Sequence, residues 1–350
     1  MKFSLRHRSL RHSAAIGASL VLLCGMSFAQ TPKFQVEKTW HIGGDGGWDY
    51  LTADAGAHRL YIARGNRVQV VDIHTGKLIA EMSGMDHTHG IALNTNGKYG
   101  YVSDGGAGMV RVFDRATLKV IANVPAEKNP DAIIFDPATK RVFAFNGRSN
   151  SATAIDTSTN RALQNVPLPG GPEFAQADGS GNVYVNLEDK NQIERIDSRT
   201  LKTTANWSIS PCDSPSGLSI DRAHHRLFSV CDNKVMAVVD TDNGRVVATV
   251  AIGNGPDATR YNARRHLVFS PNGQDGTLTI VRQNSPDSYT PVQTVVTQKG
   301  ARTMALDRAT GTIYLVTAKF GPRPPTTASN PHRRPAIVPD SFVVLVVGAK

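Results

Sequence analysis

The sequence predicts an all-β fold, a seven-bladed propeller of four-stranded antiparallel sheets, and three observations carry that expectation. The first is the stretch 87–124, HTHGIALNTNGKYGYVSDGGAGMVRVFDRATLKVIANV, where four apolar runs (90–93, 99–103, 109–113 and 120–124) alternate with turn residues. Asn-Thr-Asn-Gly, Asp-Gly-Gly-Ala-Gly and Asp-Arg-Ala-Thr supply the positive-φ and Asx geometries of tight reversals. The second is recurrence. The polar residue closing the first run returns as Asp54, Asn94, Asp136, Asp178, Asp221, Asn262 and Asp307, about 42 residues apart, the period of propeller blades rather than helical solenoids. The third is a pair of leftovers, strand 34–42 at the start and strand 342–347 at the end, neither with a sheet of its own. Joined, they complete the last blade with the N-terminal strand outermost, and the ring closes without a long unpaired edge.

Each remaining element follows in order. The first blade has middle strands at 60–63 and 68–72, the third carries 132–136, 141–145 and 153–156, and the fourth carries 174–178, 183–186 and 193–197. The fifth has 217–221, 227–230, 235–240 and 246–250. The sixth is less regular: its third strand ends in Ile280-Val281-Arg282, and Asn284-Ser285-Pro286-Asp287 replaces the usual turn. In the seventh, 313–317 is the second strand and the third waits until Phe342. Between them lies an insertion, 318–341, with Gly321-Pro322-Arg323-Pro324-Pro325 and Pro331-His332-Arg333-Arg334-Pro335. Proline at this density excludes regular sheet and favours an extended excursion. Asp72, Asp114, Asp156, Asp197 and Asp240 open the turns between third and fourth strands, where a short carboxylate accepts backbone N–H groups, so they read as structural.

Residues 1–29 stand apart. Lys2, Arg6, Arg8 and Arg11 precede an apolar run at 14–23 and a small-x-small site, Ser27-Phe28-Ala29, the pattern of a signal peptide cleaved after Ala29. The apolar run is too short to span a bilayer comfortably. The domains expected are therefore the leader, 1–29, and one propeller, 30–350. Cleavage removes four positive charges and no negative one, which lowers the formal net charge from +10 to +6 and points to no particular partner. It also leaves two cysteines. Cys212 precedes the first strand of blade five and Cys231 ends the second, so both reach one edge of the blade and a disulfide fits an oxidising compartment. A periplasmic or secreted monomer without membrane insertion is expected.

Second strands reading Tyr61-Ile62-Ala63-Arg64, Tyr101-Val102-Ser103-Asp104, Tyr184-Val185-Asn186-Leu187 and Tyr314-Leu315-Val316-Thr317, beside Asp-x-x-Thr turns, resemble the YVTN-repeat β-propeller family. Phe143 and Phe228 open the same strand in blades three and five, and the literal tetrapeptide is absent. The resemblance covers essentially the whole mature chain. It implies a seven-bladed, exported bacterial propeller related in architecture to lactonase-type propellers, often a binding protein, with single-stranded DNA binding in one branch. The repeat records blade packing, so it says more about fold than about function.

Propeller ligands sit over the central channel, on the face where each innermost strand begins. The residue at that position aligns across the blades as Asp49, His89, Asp131, Glu173, Ser216, Asp257 and Arg302. The arc Asp49, His89, Asp131 and Glu173 offers oxygen and imidazole donors for a divalent ion, although no HExxH or comparable spacing accompanies it. Arg302 is expected to pair with its ring neighbours Asp49 and Asp257. Trp48, Tyr50, Phe174 and Tyr261 place aromatic surface near the same rim, and Lys319, Arg323, Arg333 and Arg334 make the insertion a candidate basic lid. No G-x-S-x-G elbow, glycine-rich phosphate loop or C-x-x-C-H haem site is present, so no catalytic residue is assigned and no cofactor is expected beyond a possible divalent cation. The function expected is a non-enzymatic propeller binding a small ligand, a peptide or an envelope partner at the channel face. The alternatives are a metal-assisted lactonase-like hydrolase or lyase, and single-stranded DNA binding, which the acidic ring opposes.

Overall fold

A computed structural model of the chain describes residues 1–4, 32–325 and 335–350. Residues 5–29 of the expected leader, its cleavage site, and Arg333 and Arg334 of the insertion lie outside the described residues. Among those described, structure is almost wholly strand, with two single-turn 3₁₀ segments, Ala55–Ala57 and Glu188–Lys190, and no α-helix. No helix there is long and apolar enough to cross a membrane.

The strands form six antiparallel sheets, five of four strands and one of seven. Strands of alternating burial pair with their sequence neighbours, which short Gly- and Asx-rich turns permit. In the four-stranded sheets a buried second strand such as Arg141–Asn146 lies between a first and a third, and an exposed fourth, such as Arg161–Pro167, forms the outer edge. The closing strand of the last sheet is N-terminal, as the sequence predicts. Phe34–His41 pairs antiparallel with Val343–Ala349, from Phe34 opposite Ala349 to His41 opposite Val343, and Phe34 itself is buried against Phe269.

One expectation needs correction. The last strand of the first repeat and the first strand of the second are continuous as Leu78–Leu93, sixteen residues long. Its early part pairs with Gly65–Asp72 and its late part with Tyr99–Asp104, which merges two repeats into the seven-stranded sheet. The physical reason is that the link stays extended, held by Thr88 opposite Gly65 on one side and opposite Asp104 on the other, with a register shift at each junction. The irregular turn of the sixth repeat is likewise a long hairpin, Thr277–Ser285 with Ser288–Val296, and Arg226 holds its tip through Pro286 O and Asp287.

The first strands lie side by side in a closed ring. Leu51–Asp54 neighbours the late part of Leu78–Leu93, and Pro130–Asp136, Pro172–Ala177, Pro215–Asp221, Arg260–Asn262 and Met304–Leu306 follow in turn until the last meets Leu51–Asp54 again. Glycine lets them approach: a Cβ on Gly217 would come within 2.6 Å of the Ala258 backbone. Buried aliphatic and aromatic side chains fill the spaces between the sheets, with Tyr61, Phe113, Phe143, Phe145 and Phe228 fully covered.

The aspartates behave as the turn chemistry requires. Asp72 and Asp114 each accept two backbone N–H groups and a threonine hydroxyl, which holds both carboxyls below their usual range. Cys212 and Cys231 are joined in a disulfide across the fifth repeat, their Cα atoms 5.5 Å apart.

Candidate functional site

The ring position is built by backbone pins. The Ser103 hydroxyl, buried in the second strand of one repeat, donates to Asp131 O at 2.5 Å, and Asn186 does the same two repeats later, donating to Ser216 O at 2.8 Å. The Thr303 hydroxyl donates to Asp49 O at 3.0 Å, and Tyr50 N donates to His89 O at 3.0 Å. Four of the seven residues that open inner strands, Asp49, His89, Asp131 and Ser216, are thus fixed through their carbonyls by a neighbouring segment.

Asp49, Asp131, Glu173, Ser216, Asp257 and Arg302 line one cavity of about 510 Å³. His89 stands beside it, with Nδ1 2.6 Å from Asp49 Oδ2 and 3.5 Å from Asp131 Oδ2. Glu188 and Asp232, from loops joining second to third strands, bring the lining carboxylates to six against the single guanidinium of Arg302 among the described residues. That guanidinium is held by Asp257, Nε to Oδ2 at 2.5 Å; no hydrogen bond from it to Asp49 accompanies this pair.

Tyr50 lines the cup, whereas Phe174, expected at the same face, is buried and does not line it. Tyr50 crosses the axis to reach Phe174 at 4.7 Å between ring centroids, and its hydroxyl donates to Asp257 O at 3.1 Å. Beneath Phe174 lies the Arg260 guanidinium, 5.0 Å from the ring centroid, whose burial lowers its pKa to about 10.

Burial and mutual repulsion reshape the titration of this cup. Glu173 is pushed well above the usual carboxylate range by burial and then by Asp131, Asp257, Glu188 and Asp49. Burial raises Asp131 to about 7, with the Asp49 and Asp257 charges adding and His89 opposing. Asp257, Glu188 and Asp232 are raised as well, burial being the main cause for each. Burial alone would lower His89; the hydrogen bond it donates to Asp49 and the charges of Asp131 and Asp49 outweigh it and raise the imidazole to about 9. Among the described residues its Nε2 is buried without a hydrogen-bond partner, against Gly105, where a Cβ would come within 2.7 Å.

Donor atoms of Asp49, His89 and Asp131 all lie within 4.8 Å of one another, a spacing that one cation can bridge. Glu173, expected in the same ligand set, stays outside that cluster on the cup wall.

Other expected residues are placed differently. Trp48 does not line the cup: it packs between Phe342 and Phe320, at 5.5 and 5.9 Å, and faces a neighbouring cleft with Asp49 and His89. Tyr261 is at the opposite end of its inner strand, donating to Gln283, so it belongs to the other face. The Ser216 hydroxyl is engaged by Pro256 O at 3.1 Å. From the insertion, Phe320 and Pro335 reach the cup and residues 320 and 337 form a bridge, whereas Lys319 and Arg323 are exposed and do not line it.

Sequence reasoning missed Arg64. It is completely buried and donates to the carbonyls of Gly43, Gly44, Asp45, Gly46 and Gly47 and to Gln69, with its guanidinium 3.8 Å over the Phe342 ring. It thereby shapes the loop that delivers Asp49.

No protein-family model matches the chain, and no curated protein does. Solved structures do. A chain of the hydrazine synthase of Kuenenia stuttgartiensis aligns with a TM-score of 0.69 at 17% identity, covering 79% of this chain and 94% of that one. U3-55K aligns at 0.74 and 8% identity over 90% and 99%, and the WD40 repeats of RRP9 at 0.74 and 9% identity over 91% and 99%. The likeness identifies the fold as a β-propeller. At these identities it carries the architecture alone.

Proposed function

We propose that this chain is an exported seven-bladed propeller of the YVTN-like kind that binds a small organic cation in the acidic cup at its channel mouth, without acting on it chemically. The blade count follows from assigning the early part of Leu78–Leu93 to one blade and the late part to the next. Export rests on the leader pattern at 1–29 and on the disulfide, which suits a periplasmic or secreted monomer.

One observation carries the ligand class: among the described residues six carboxylates converge on a cavity of about 510 Å³ whose one lining guanidinium is already held by Asp257. Like charges gathered in a buried space are costly, and a bound cation relieves that cost. The volume suits a small molecule rather than a bare ion, and the Tyr50 ring lining it offers aromatic surface to an alkylammonium group. Titration calorimetry with 1,4-diaminobutane and phenethylamine at pH 7.5 tests this. Saturable binding that weakens about a hundredfold in the Asp131→Asn/Glu173→Gln double variant supports it; amines that do not bind, or that bind the double variant equally, reject it.

A second reading has its own support. The Asp49, His89 and Asp131 donors would hold a divalent ion, which would supply a Lewis acid for lactone or ester hydrolysis. Metal analysis of the purified protein, with melting measured before and after chelator, separates the two: a stoichiometric ion and a chelator-dependent fall in melting temperature favour the hydrolase. Nucleic acid at this face is not proposed, because the carboxylates repel phosphate.

A further inference from the structure

The opposite mouth of the channel carries the reverse chemistry. Where each inner strand ends, the residue after the strand-closing Asp or Asn is Ala55, Thr95, Pro137 and Gly179 in the first four repeats. In the next three the same turn holds Arg222, Ala263 followed by Arg264, and Arg308. Arg222, Arg264 and Arg308 line one cavity of about 340 Å³ together with Ile220, Tyr261 and Leu306.

Among the described residues none of these guanidiniums forms an ion pair, although Arg222 also borders a neighbouring cleft with Asp178. Arg222 donates through Nε and Nη2 to Ala177 O, at 3.1 and 2.7 Å, and Arg264 donates through Nη1 to Ala309 O at 3.1 Å. Neither carbonyl bears a charge. Arg308 is exposed and has no side-chain hydrogen bond or ion pair among the described residues. Among the described residues the one acidic side chain lining the cavity is Asp221, which is already engaged by His224 Nδ1 at 2.6 Å, Gln283 Nε2 at 2.9 Å and Ala223 N at 3.1 Å. Arg222 feels the resulting field: burial, then the charge of Arg308, lowers its pKa, against a smaller opposing pull from Asp178 and Asp136. Anchoring by backbone carbonyls pre-orients Arg222 and Arg264 while leaving donors on each guanidinium unassigned, which is how a planar fork is presented to an oxyanion.

We propose that this lower mouth is a second binding site, for a small organic molecule bearing a phosphate or carboxylate group. The oxyanion sits among Arg222, Arg264 and Arg308, and its apolar body lies on Ile220, Tyr261 and Leu306. The site is independent of the acidic cup, which belongs to the other end of the same inner strands.

Titration calorimetry on the full chain at low salt, with phenyl phosphate, phenylacetate and inorganic phosphate as probes, tests the proposal. Phenyl phosphate is expected to bind with one site, more tightly than inorganic phosphate by the contribution of its ring; phenylacetate binding in its place assigns the site to carboxylates. Arg308→Ala, which breaks no hydrogen bond or ion pair among the described residues, is expected to weaken binding about tenfold, since a charge-assisted hydrogen bond is at stake. Arg308→Lys should recover part of that loss, and both variants should melt like the parent. Absence of saturable binding for all three probes overturns the proposal. So does an unchanged affinity in Arg308→Ala, or a loss of binding in Glu173→Gln instead, which would move the ligand to the cup. A ten-nucleotide oligothymidine that binds through the same arginines and outcompetes phenyl phosphate with a steep salt dependence also overturns it, in favour of an extended polyanion surface.

Discussion

Replacing Asp131 by asparagine should make the protein more stable at pH 8 and leave it unchanged at pH 4. The Asp131 side chain is 21% exposed and its pKa rises from 3.8 to about 7, chiefly through burial. A carboxyl whose folded pKa lies above its unfolded one binds protons more tightly when folded, so stability is highest below about pH 4 and falls as pH rises towards 7. A shift of about 3 units at roughly 1.4 kcal/mol each sets a ceiling of about 4 kcal/mol on what the ionised carboxylate costs at pH 8. The variant also takes one of two carboxylate neighbours from His89, so a net gain of about 2 kcal/mol is the expected outcome. His89, raised to about 9, stabilises the fold below its unfolded value and loses that contribution as pH passes about 9, a decline shared in direction by parent and variant. In a chain of this size the gain corresponds to about 4 °C in melting temperature. Differential scanning fluorimetry of both proteins from pH 4 to 8 reads it directly. A variant that melts lower at pH 8, or that gains equally at pH 4, refutes the reasoning.

Other parts of the molecule make their own predictions. Reducing the Cys212–Cys231 disulfide, which closes a loop with a sequence separation of 19, should cost about 3 kcal/mol, seen as a melting temperature lower by about 5 °C in reductant and matched by Cys212→Ala/Cys231→Ala. Arg64→Met should destabilise the chain by roughly 3 kcal/mol, because it strips six acceptors of a charged donor, and should weaken amine binding through Asp49. Arg64→Lys should restore only part of both, as denaturant melts and calorimetry would show. Tyr50→Ala removes the tyrosine ring from the cup lining and should weaken phenethylamine more than 1,4-diaminobutane, whereas Tyr50→Phe keeps the ring and should alter both by less than about threefold.

Much of this architecture is legible in the sequence because its signals are local and repeated. Asp136, Asp178 and Asp221 mark strand ends since a short carboxylate finds its backbone donors within three or four residues. Aligning the repeats on them is enough to gather Asp49, His89, Asp131, Glu173, Asp257 and Arg302 into one ring position. Glu188 and Asp232 escape that alignment because their loops vary in length, although both lie in second-to-third-strand connections on the same face. Arg64 escapes because nothing in Tyr-Ile-Ala-Arg distinguishes a surface cation from one buried among five loop carbonyls. The continuity of Leu78–Leu93 is hidden by Gly84, which reads as a turn but sits with φ of 83° inside an extended run. Tyr261 is misplaced by its closeness in sequence to Asp257, since the few residues between them carry the chain from one cavity to the other. The three arginines of the lower mouth were visible as composition, yet only the ring of inner strands puts them in one place.

The proton count of amine binding tests the cup most directly. If its carboxylates hold protons until a cation displaces them, calorimetry at pH 6 in buffers of different ionisation enthalpy should show protons released on binding 1,4-diaminobutane, about one per amine bound, and fewer for Glu173→Gln. Binding with no proton exchange, or with proton uptake, would contradict the cation site.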